Sequence, residues 1–244
     1  MNGDNLPYTW VWLDLDDTLI DFQANSRAAL LRLYADCHLA GWFRDAEAWL
    51  DSYHAVNRTL WELYNNGEID QDSLRVRRFS EPLMGAGMER EETERLSRAL
   101  DPLYLDYLAG ERRLMPGAAE MLRSLRELGY RIGILSNGFN GVQQRKIASA
   151  GIDGYVDLVV LSDEIGVNKP HRPIFDYAMM RSGEHCPGRH IMIGDNPATD
   201  IAGAIAAGWH AILYSPSGTG GDSPLSFEVV TSLHDIPAML LHGR

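Results

Sequence analysis

Polar side chains follow a short apolar run near the start of the chain. In the segment VWLDLDDTLID, Asp14 and Asp16 are two residues apart, and Thr18 comes two residues later. Side chains at positions i and i+2 of an extended backbone point to the same side, so both carboxylates would leave the end of a strand together. Neighbouring carboxylates raise each other's pKa unless a cation lies between them. The pair therefore indicates a divalent metal site, or a division of roles into a nucleophile and an acid.

Three later apolar segments also lead to polar residues of related chemistry. These are Ser136, Asn137 and Gly138 at the end of RIGILSNG, Lys169 in the loop after DLVVLS, and Asp195, Asn196 and Asp200 at and beyond the end of HIMIGD. In a doubly wound sheet, ligands bind outside the carboxyl ends of the strands, where side chains from different strands converge. Carboxylates, a hydroxyl, a lysine and a glycine turn at one edge suit a phosphate group and a metal ion.

The elements that must position these residues alternate between strands and helices. Predicted strands cover residues 8–14, 131–137, 157–162, 190–195 and 210–215. Predicted helices between the later strands cover residues 118–128, 141–150, 173–182 and 198–207. A Gly/Ser/Pro-rich loop over 215–226 and a last strand and helix over 227–240 complete the pattern. Such alternation predicts an α/β fold, a Rossmann-like doubly wound parallel sheet with helices on both faces.

The long segment between the first two strands contains helical patterns instead. Apolar residues recur there at spacings of three and four, at Ala46, Leu50, Tyr53, Val56, Leu60 and Leu63. This period predicts an amphipathic helix that ends at Asn66 and Gly67. Further helices are predicted over 70–84 and 90–109. We therefore expect an α-helical domain over 22–110, inserted into a core formed by 1–21 and 111–244.

Composition limits the partners and the compartment. The chain has 244 residues, 22 of them Lys or Arg and 34 Asp or Glu, which gives a formal net charge of −12 at pH 7. Such a charge repels nucleic acid backbones and anionic membrane surfaces, so we expect neither as a partner. Two separated cysteines, no signal peptide and no apolar run of about 18 residues predict a soluble cytoplasmic protein. Its oligomeric state is left open between a monomer and a dimer.

The set DLDDT, LSNG, Lys169-Pro170 and GDNPATD, in this order, resembles the four motifs of the haloacid dehalogenase superfamily of phosphatases. The helical insert resembles the type 1 cap of that family. Three segments, YHAVNRTLWELYNNGEI, SNGFNGVQQRK and EIGVNKPHRPIFDYA, are similar to its branch of pyrimidine 5′-nucleotidases, which also act on modified nucleotides. The resemblance implies a Mg²⁺-dependent phosphomonoesterase whose small phosphorylated substrate is a nucleoside 5′-monophosphate, with pyrimidines preferred.

The resemblance also implies a role for each residue of the site. Asp14 would attack the phosphoryl group and form an aspartyl-phosphate, and Asp16 would act as general acid and then as general base. Mg²⁺ would be held by Asp14, by the backbone carbonyl of Asp16 and by Asp195. Ser136 and Lys169 would bind the phosphoryl oxygens. Supporting contacts would come from Thr18, Asn137, Gly138, Asn196 and Asp200.

Substrate contacts outside these motifs are harder to assign from the sequence. Asn57, Trp61 and Tyr64 share one helix face and could bind a nucleobase, or Trp61 and Tyr64 could simply pack the helix onto its neighbours. Phe139 and Asn140 are further candidates for contact with the base. Arg75, Arg77 and Arg78 are expected to be surface charges instead of phosphate ligands.

Other functions stay open at this point. The same machinery could act on a phosphosugar, phosphoglycolate or the bisphosphate of a mutase. A haloacid dehalogenase is disfavoured because carbon–halogen cleavage needs neither a proton donor nor a metal, yet Asp16 and Asp195 are present. A non-enzymatic phospho-aspartate receiver is disfavoured because its phosphorylated aspartate lies on a later strand than the acidic pair, and it lacks a large insert.

Overall fold

A parallel sheet of six strands is the central element of the computed structural model, which describes residues 6–219 and 227–242. The strands are β1 Trp10–Leu13, β2 Arg131–Ser136, β3 Leu158–Leu161, β4 His190–Gly194, β5 His210–Tyr214 and β6 Glu228–Val230. Their order across the sheet is β3-β2-β1-β4-β5-β6, and every neighbouring pair is parallel. The predicted α/β fold class is confirmed. Since β1 lies between β2 and β4, the residues that follow these three strands meet at one edge.

Helices cover both faces of this sheet. They are α5 Ala118–Glu127, α6 Asn140–Ser149, α7 Arg172–Ser182, α8 Ala202–Ala206 and α9 Ile236–His242. Alternate residues of β1 point to opposite faces, so Val11 and Leu13 pack with α5, α6 and α9, while Trp10 and Trp12 pack with α7 and α8. A π-helical turn, Pro197–Ile201, precedes α8.

The predicted strands and helices of this part of the chain agree with the structure to within about two residues, the usual uncertainty of element ends, except that the helix predicted over 198–207 begins as the π-helical turn and α8 itself starts only at Ala202. The predicted loop over 215–226 lies partly outside the described residues, because 220–226 are not among them. The last predicted strand and helix correspond to β6 and α9.

Contacts divide the chain into two compact units, one of Met1–Phe22 with Arg112–Arg244 and the other of Gln23–Glu111. The first unit holds the sheet. The second is helical and contains the helices α1 Phe22–Asp36, α2 Ala46–Asn65, α3 Gln71–Gly85 and α4 Arg90–Gly110, of which α1 begins one residue before the unit. Helix α1 has no counterpart among the individual helices predicted above.

The helical unit has its own aromatic core. Trp49 and Tyr53 on α2 pack against Phe79 on α3, and Tyr53 also packs against Tyr104 on α4, with ring centroids 5.2 to 6.3 Å apart. All four rings are buried. Tyr53 belongs to the apolar period predicted for α2, so that face of the helix is buried against α3 and α4.

The expectation that Arg78 is a surface charge is wrong. Its side chain is buried within the helical unit and forms an ion pair with Asp101, whose other carboxylate oxygen accepts a hydrogen bond from Arg75 at 2.7 Å. A buried guanidinium needs such a partner, because an uncompensated charge is costly away from water. Arg77 remains partly exposed and pairs with Glu81 on the same helix.

Two smaller predictions concern thiols and the membrane. Cys37 and Cys186 are both free, as the absence of a disulfide pattern indicates. Within residues 6–219 and 227–242, no helix has the length and apolar character that a membrane span requires.

Candidate active site

The position of Asp14 is fixed by the centre of the sheet. Its backbone N–H donates to the carbonyl of Ile193 at 3.0 Å, so the residue continues the pairing of β1 with β4 just beyond the end of the strand. The chain then turns sharply: Asp17 has a positive φ of 60°, and its N–H donates to the carbonyl of Ile20 at 2.7 Å. This turn allows Asp16 to leave the strand at the same edge as Asp14.

Lys169 lies within hydrogen-bond distance of three acceptors. Its Nζ atom is 2.6 Å from Asp14 Oδ1, 2.7 Å from Asp200 Oδ1 and 2.7 Å from the carbonyl oxygen of Leu135. An ammonium group has three hydrogens to donate, so all of them are used. Burial alone would lower the pKa of Lys169, but the charges of Asp14 and Asp200 outweigh it and hold that pKa above its ordinary value.

The backbone of Lys169 is positioned by Asn137. The side-chain amide of Asn137 accepts from the N–H of Lys169 at 2.7 Å and donates to its carbonyl oxygen at 3.0 Å. This two-way contact attaches the loop after β3 to the end of β2. The structure thus brings together two residues that are separated by 32 positions along the sequence.

Three carboxylates form a cluster that could hold a cation. One oxygen atom from each of Asp14, Asp195 and Asp200 lies within 4.8 Å of the others. Burial and then neighbouring carboxylates raise the pKa of Asp195 to about 8, and burial also raises that of Asp14 to about 7, with Lys169 opposing. Mutual repulsion of this kind is relieved by a divalent ion, and an all-oxygen ligand set suits Mg²⁺. The residues present therefore fit the predicted metal.

The turn after β4 supports this cluster. The N–H of Asn196 donates to Asp200 Oδ2 at 3.1 Å, and the Asn196 side chain caps the following turn by accepting from Ala198 N at 2.9 Å. A Cβ atom on Gly194 would lie 2.2 Å from Asp200 Oδ2, so only glycine allows Asp200 this position. Thr18 Oγ1 lies 3.4 Å from Asp195 Oδ1 and joins the end of β1 to the end of β4.

Two residues that the sequence analysis missed contact Asp16, and one of them also contacts Ser136. Gln143 Nε2 donates to Ser136 Oγ at 2.7 Å and to Asp16 Oδ2 at 3.0 Å, and Lys146 forms an ion pair with Asp16. The N–H of Gly138 also donates to Ser136 Oγ, at 3.2 Å. Gln143 and Lys146 lie on α6, and both are buried.

Three of the residues suggested for base contact belong to the helical unit and two to the unit that holds the sheet. Asn57, Trp61 and Tyr64 are on α2, where the rings of Trp61 and Tyr64 pack edge to face with centroids 5.5 Å apart. The buried Oδ1 atom of Asn57 has no hydrogen-bond partner among the described residues. Phe139 is buried just before α6, and the N–H of Asn140 donates to Asp163 Oδ2 at 2.9 Å. Base recognition by these residues stays a prediction.

The parallel sheet defines a protein of the α/β class, and the carboxylates beyond β1 and β4 with the buried Lys169 define a site suited to a metal ion and a phosphate group. More particularly, the chain belongs to the haloacid dehalogenase-like hydrolases, whose family model matches residues 8–208. The predicted family and the prediction of an enzyme are thereby confirmed.

Known proteins similar to this chain include two nucleotidases. The chain is 34% identical to pyrimidine 5′-nucleotidase YjjG of Escherichia coli (strain K12). The 203 aligned residues cover 83% of this chain and 84% of that protein. The chain is 29% identical over 209 residues to pyrimidine 5′-nucleotidase PynA of Streptococcus pneumoniae (strain ATCC BAA-255 / R6), covering 86% and 84%.

A solved structure shows the same fold. The putative HAD-hydrolase YfnB of Bacillus subtilis, crystallised with magnesium bound, superposes with a TM-score of 0.84 at 24% identity, covering 96% of this chain and 98% of that one.

Proposed function

We propose that the protein is a Mg²⁺-dependent phosphatase that hydrolyses pyrimidine nucleoside 5′-monophosphates through an aspartyl-phosphate. The observation that carries the mechanism is the Asp14 carboxylate, which lies beyond the end of β1, 2.6 Å from the Lys169 ammonium and within 4.8 Å of two further carboxylates. Similarity to two pyrimidine 5′-nucleotidases over more than four fifths of the chain supports the substrate class.

The first half of the reaction transfers the phosphoryl group to the protein. A carboxylate oxygen of Asp14 forms a bond to phosphorus while the bond from phosphorus to the ribose 5′ oxygen breaks. Asp16 gives its proton to that oxygen, which leaves as the nucleoside hydroxyl. Lys169 and the Ser136 hydroxyl stabilise the negative charge on the phosphoryl oxygens.

The second half releases phosphate. The oxygen of a water molecule attacks phosphorus, Asp16 accepts a proton from that water, and the bond between phosphorus and Asp14 breaks. Mg²⁺, held by the carboxylates of Asp14 and Asp195 and by the backbone carbonyl of Asp16, would supply positive charge that stabilises both transfers. Asp200 and Asn137 keep Lys169 in position throughout.

Phosphate release from a substrate panel tests this proposal. The panel contains UMP, dUMP, dTMP, purine monophosphates, sugar phosphates and phosphoglycolate, each with Mg²⁺ and with EDTA. We expect kcat/KM for the pyrimidine nucleotides to exceed that for the others by about tenfold or more, equivalent to 1.4 kcal/mol, and EDTA to abolish turnover. Faster release from sugar phosphates would overturn the substrate class, and release that is indifferent to EDTA would overturn the metal.

A matched pair of variants tests the nucleophile. Asp14→Asn keeps the shape of the side chain but removes the nucleophilic charge, so we expect turnover to disappear while the circular dichroism spectrum is unchanged. Asp153→Asn makes the same change at an exposed position in the turn that follows α6, and should leave turnover unchanged. Normal turnover in Asp14→Asn would exclude the aspartyl-phosphate mechanism.

A further inference from the structure

Lysine is used very selectively in this protein. The sequence contains only two lysines, Lys146 and Lys169, and every other member of its 22 Lys and Arg residues is arginine. Both lysines are 2% exposed, and both pair with an aspartate that follows β1. The proposed mechanism uses Lys169, whereas Lys146 has no role in it so far.

Lys146 and Gln143 surround the carboxylate of Asp16 with donors. Lys146 Nζ pairs with Oδ1 of Asp16, and Gln143 Nε2 donates to Oδ2 at 3.0 Å. Lys146 Nζ also donates to Gln143 Oε1 at 2.8 Å. The amide of Gln143 therefore has a single suitable orientation, because a flipped amide would place its oxygen against Asp16 and its NH₂ group against the ammonium. The contacts hold the carboxylate of Asp16 from both sides.

The same amide also determines which way the Ser136 hydroxyl donates. Ser136 Oγ accepts from Gln143 Nε2 at 2.7 Å and from the N–H of Gly138 at 3.2 Å. A hydroxyl has two lone pairs and one hydrogen, so both acceptor sites of Ser136 are occupied. Its hydrogen is left as the group that can be donated to a phosphoryl oxygen.

Stability alone does not account for a lysine at this position. Gln143 and Lys146 are three residues apart on α6 and therefore share the face that is turned to Asp16. Burial of an ammonium group is costly, and replacing a buried ion pair by apolar residues is often neutral or stabilising. A buried charge that contacts a residue of the reaction site is better explained by a task at that site.

We propose that Lys146 and Gln143 are positioning residues that fix the Asp16 carboxylate for both proton transfers and direct the Ser136 hydroxyl toward the phosphoryl group. The inference rests on the proposed function, because Asp16 and Ser136 need this arrangement only if a phosphoryl group is transferred. Neither Lys146 nor Gln143 takes part in a bond that forms or breaks.

Lys146→Met tests the inference with two substrates that differ in their leaving group. Loss of nucleoside requires a proton from Asp16, whereas 4-nitrophenolate leaves without one. Hydrolysis of the aspartyl-phosphate requires Asp16 with either substrate. In rapid mixing with 4-nitrophenyl phosphate, Lys146→Met should release nitrophenolate in a burst equal to the enzyme concentration and then turn over slowly. With UMP, kcat should fall about 100-fold without a burst of uridine.

Burst amplitude separates positioning from folding. A lysine that only stabilised the fold would reduce the number of competent sites, so the amplitude and the steady-state rate would fall together. Such a proportional loss would overturn the inference, as would a kcat for UMP equal to that of the wild type.

Two further variants cover the case in which Lys146→Met does not fold. Lys146→Arg keeps the charge and should retain most of the activity with UMP. Gln143→Met keeps the bulk of the side chain but removes its hydrogen bonds, and should reproduce the burst. Absence of that burst in folded Gln143→Met would contradict the inference. A wild-type enzyme that released phosphate from neither substrate would instead contradict the proposed function.

Discussion

The Nζ atom of Lys169 lies 2.6 Å from Oδ1 of Asp14, and both side chains are buried. The same ammonium is shared with Asp200 at 2.7 Å, so one positive charge faces two carboxylates, with Asp195 close by. The cluster is therefore short of positive charge. A divalent cation would relieve the repulsion among these carboxylates, so the cluster favours the binding of one.

Removal of this ammonium should be costly. Lys169→Met leaves Asp14 and Asp200 without their shared cation, and breaking a buried pair in this way costs about 3 kcal/mol or more. We expect that loss in the free energy of unfolding, measured by urea denaturation at pH 7 without Mg²⁺, together with loss of turnover. Arg172→Met removes an exposed cation at the start of α7 and should change the free energy by no more than about 0.5 kcal/mol. Equal stabilities for the two variants would contradict this account.

Stabilisation by Mg²⁺ should increase with pH. The pKa values of about 7 for Asp14 and about 8 for Asp195 lie above the ordinary 3.8. At pH values between 3.8 and these raised values, the two carboxyl groups bind more protons in the metal-free folded protein than in the unfolded chain. Its stability therefore falls as the pH rises toward 8. Mg²⁺ competes with those protons and binds the folded state.

A thermal-shift measurement checks this dependence. At constant ionic strength, the rise in Tm caused by MgCl₂ should be larger at pH 8 than at pH 5. Asp195→Asn should show a smaller rise at pH 8 than the wild type, because one of the carboxylates is lost. An equal Mg²⁺ shift at both pH values would show that these carboxylates do not form the metal site.

The strand ends could be predicted from the sequence because simple rules place them. The continuous apolar run WVWL and the apolar runs that follow are typical of buried parallel strands, and ligands collect at their carboxyl ends. The place of Asp14, Ser136 and Asp195 at the strand ends is therefore predictable from the apolar runs alone. Lys169 follows β3 by several residues, and only the order of the four motifs made it identifiable.

Residues on α6 could not be found in the same way. In the run QQRK, Gln143 and Lys146 are buried while Gln144 and Arg145 are exposed, and polar residue types give no indication of which face is turned inward. The scarcity of lysine was the one available signal. Helix α1 was missed for a related reason, since its buried face includes Asn25 and Ser26 and so blurs the apolar period.

A buried histidine should make the protein sensitive to acid. His190 Nδ1 accepts from the indole N–H of Trp12 at 2.9 Å, its Nε2 lies 3.0 Å from the carbonyl of Glu184, and its ring stacks on Trp209. Nδ1 can accept only while the ring is neutral, and burial lowers the pKa of His190 below the ordinary 6.5. The His190 ring thus binds fewer protons in the folded protein than in the unfolded chain, so its contribution to stability is lost as the pH falls through the ordinary value, opposite in sign to the contribution of Asp14 and Asp195.

Urea denaturation of a glutamine variant isolates this contribution. Glutamine can accept from Trp12 and donate to Glu184 without titrating. On going from pH 7 to pH 5, the free energy of unfolding of His190→Gln should therefore rise relative to that of the wild type, because Asp14 and Asp195 contribute equally in both proteins. His171→Gln, at an exposed position, should behave like the wild type. An unchanged pH dependence in His190→Gln would show that His190 is not the responsible group.

Two glycines three residues apart should respond oppositely to alanine. A Cβ atom on Gly138 would lie 2.1 Å from Gln143 Nε2 and 2.4 Å from its Cδ, whereas one on Gly141 would meet no atom within 4 Å. Gln143 cannot easily move aside, because it is buried and bonded to Asp16, Ser136 and Lys146. Gly138→Ala should therefore cost about 1–3 kcal/mol of stability.

The effect on turnover follows from the same displacement. When Gln143 shifts, Asp16 and Ser136 each lose a donor, so kcat for UMP should fall about tenfold or more in Gly138→Ala. Gly141→Ala should leave kcat unchanged and be as stable as the wild type or slightly more so, because alanine favours the helix. Steady-state kinetics and urea denaturation of the pair decide the matter. If Gly138→Ala keeps full kcat, the amide of Gln143 does not control the geometry at Asp16, because its displacement is then without consequence.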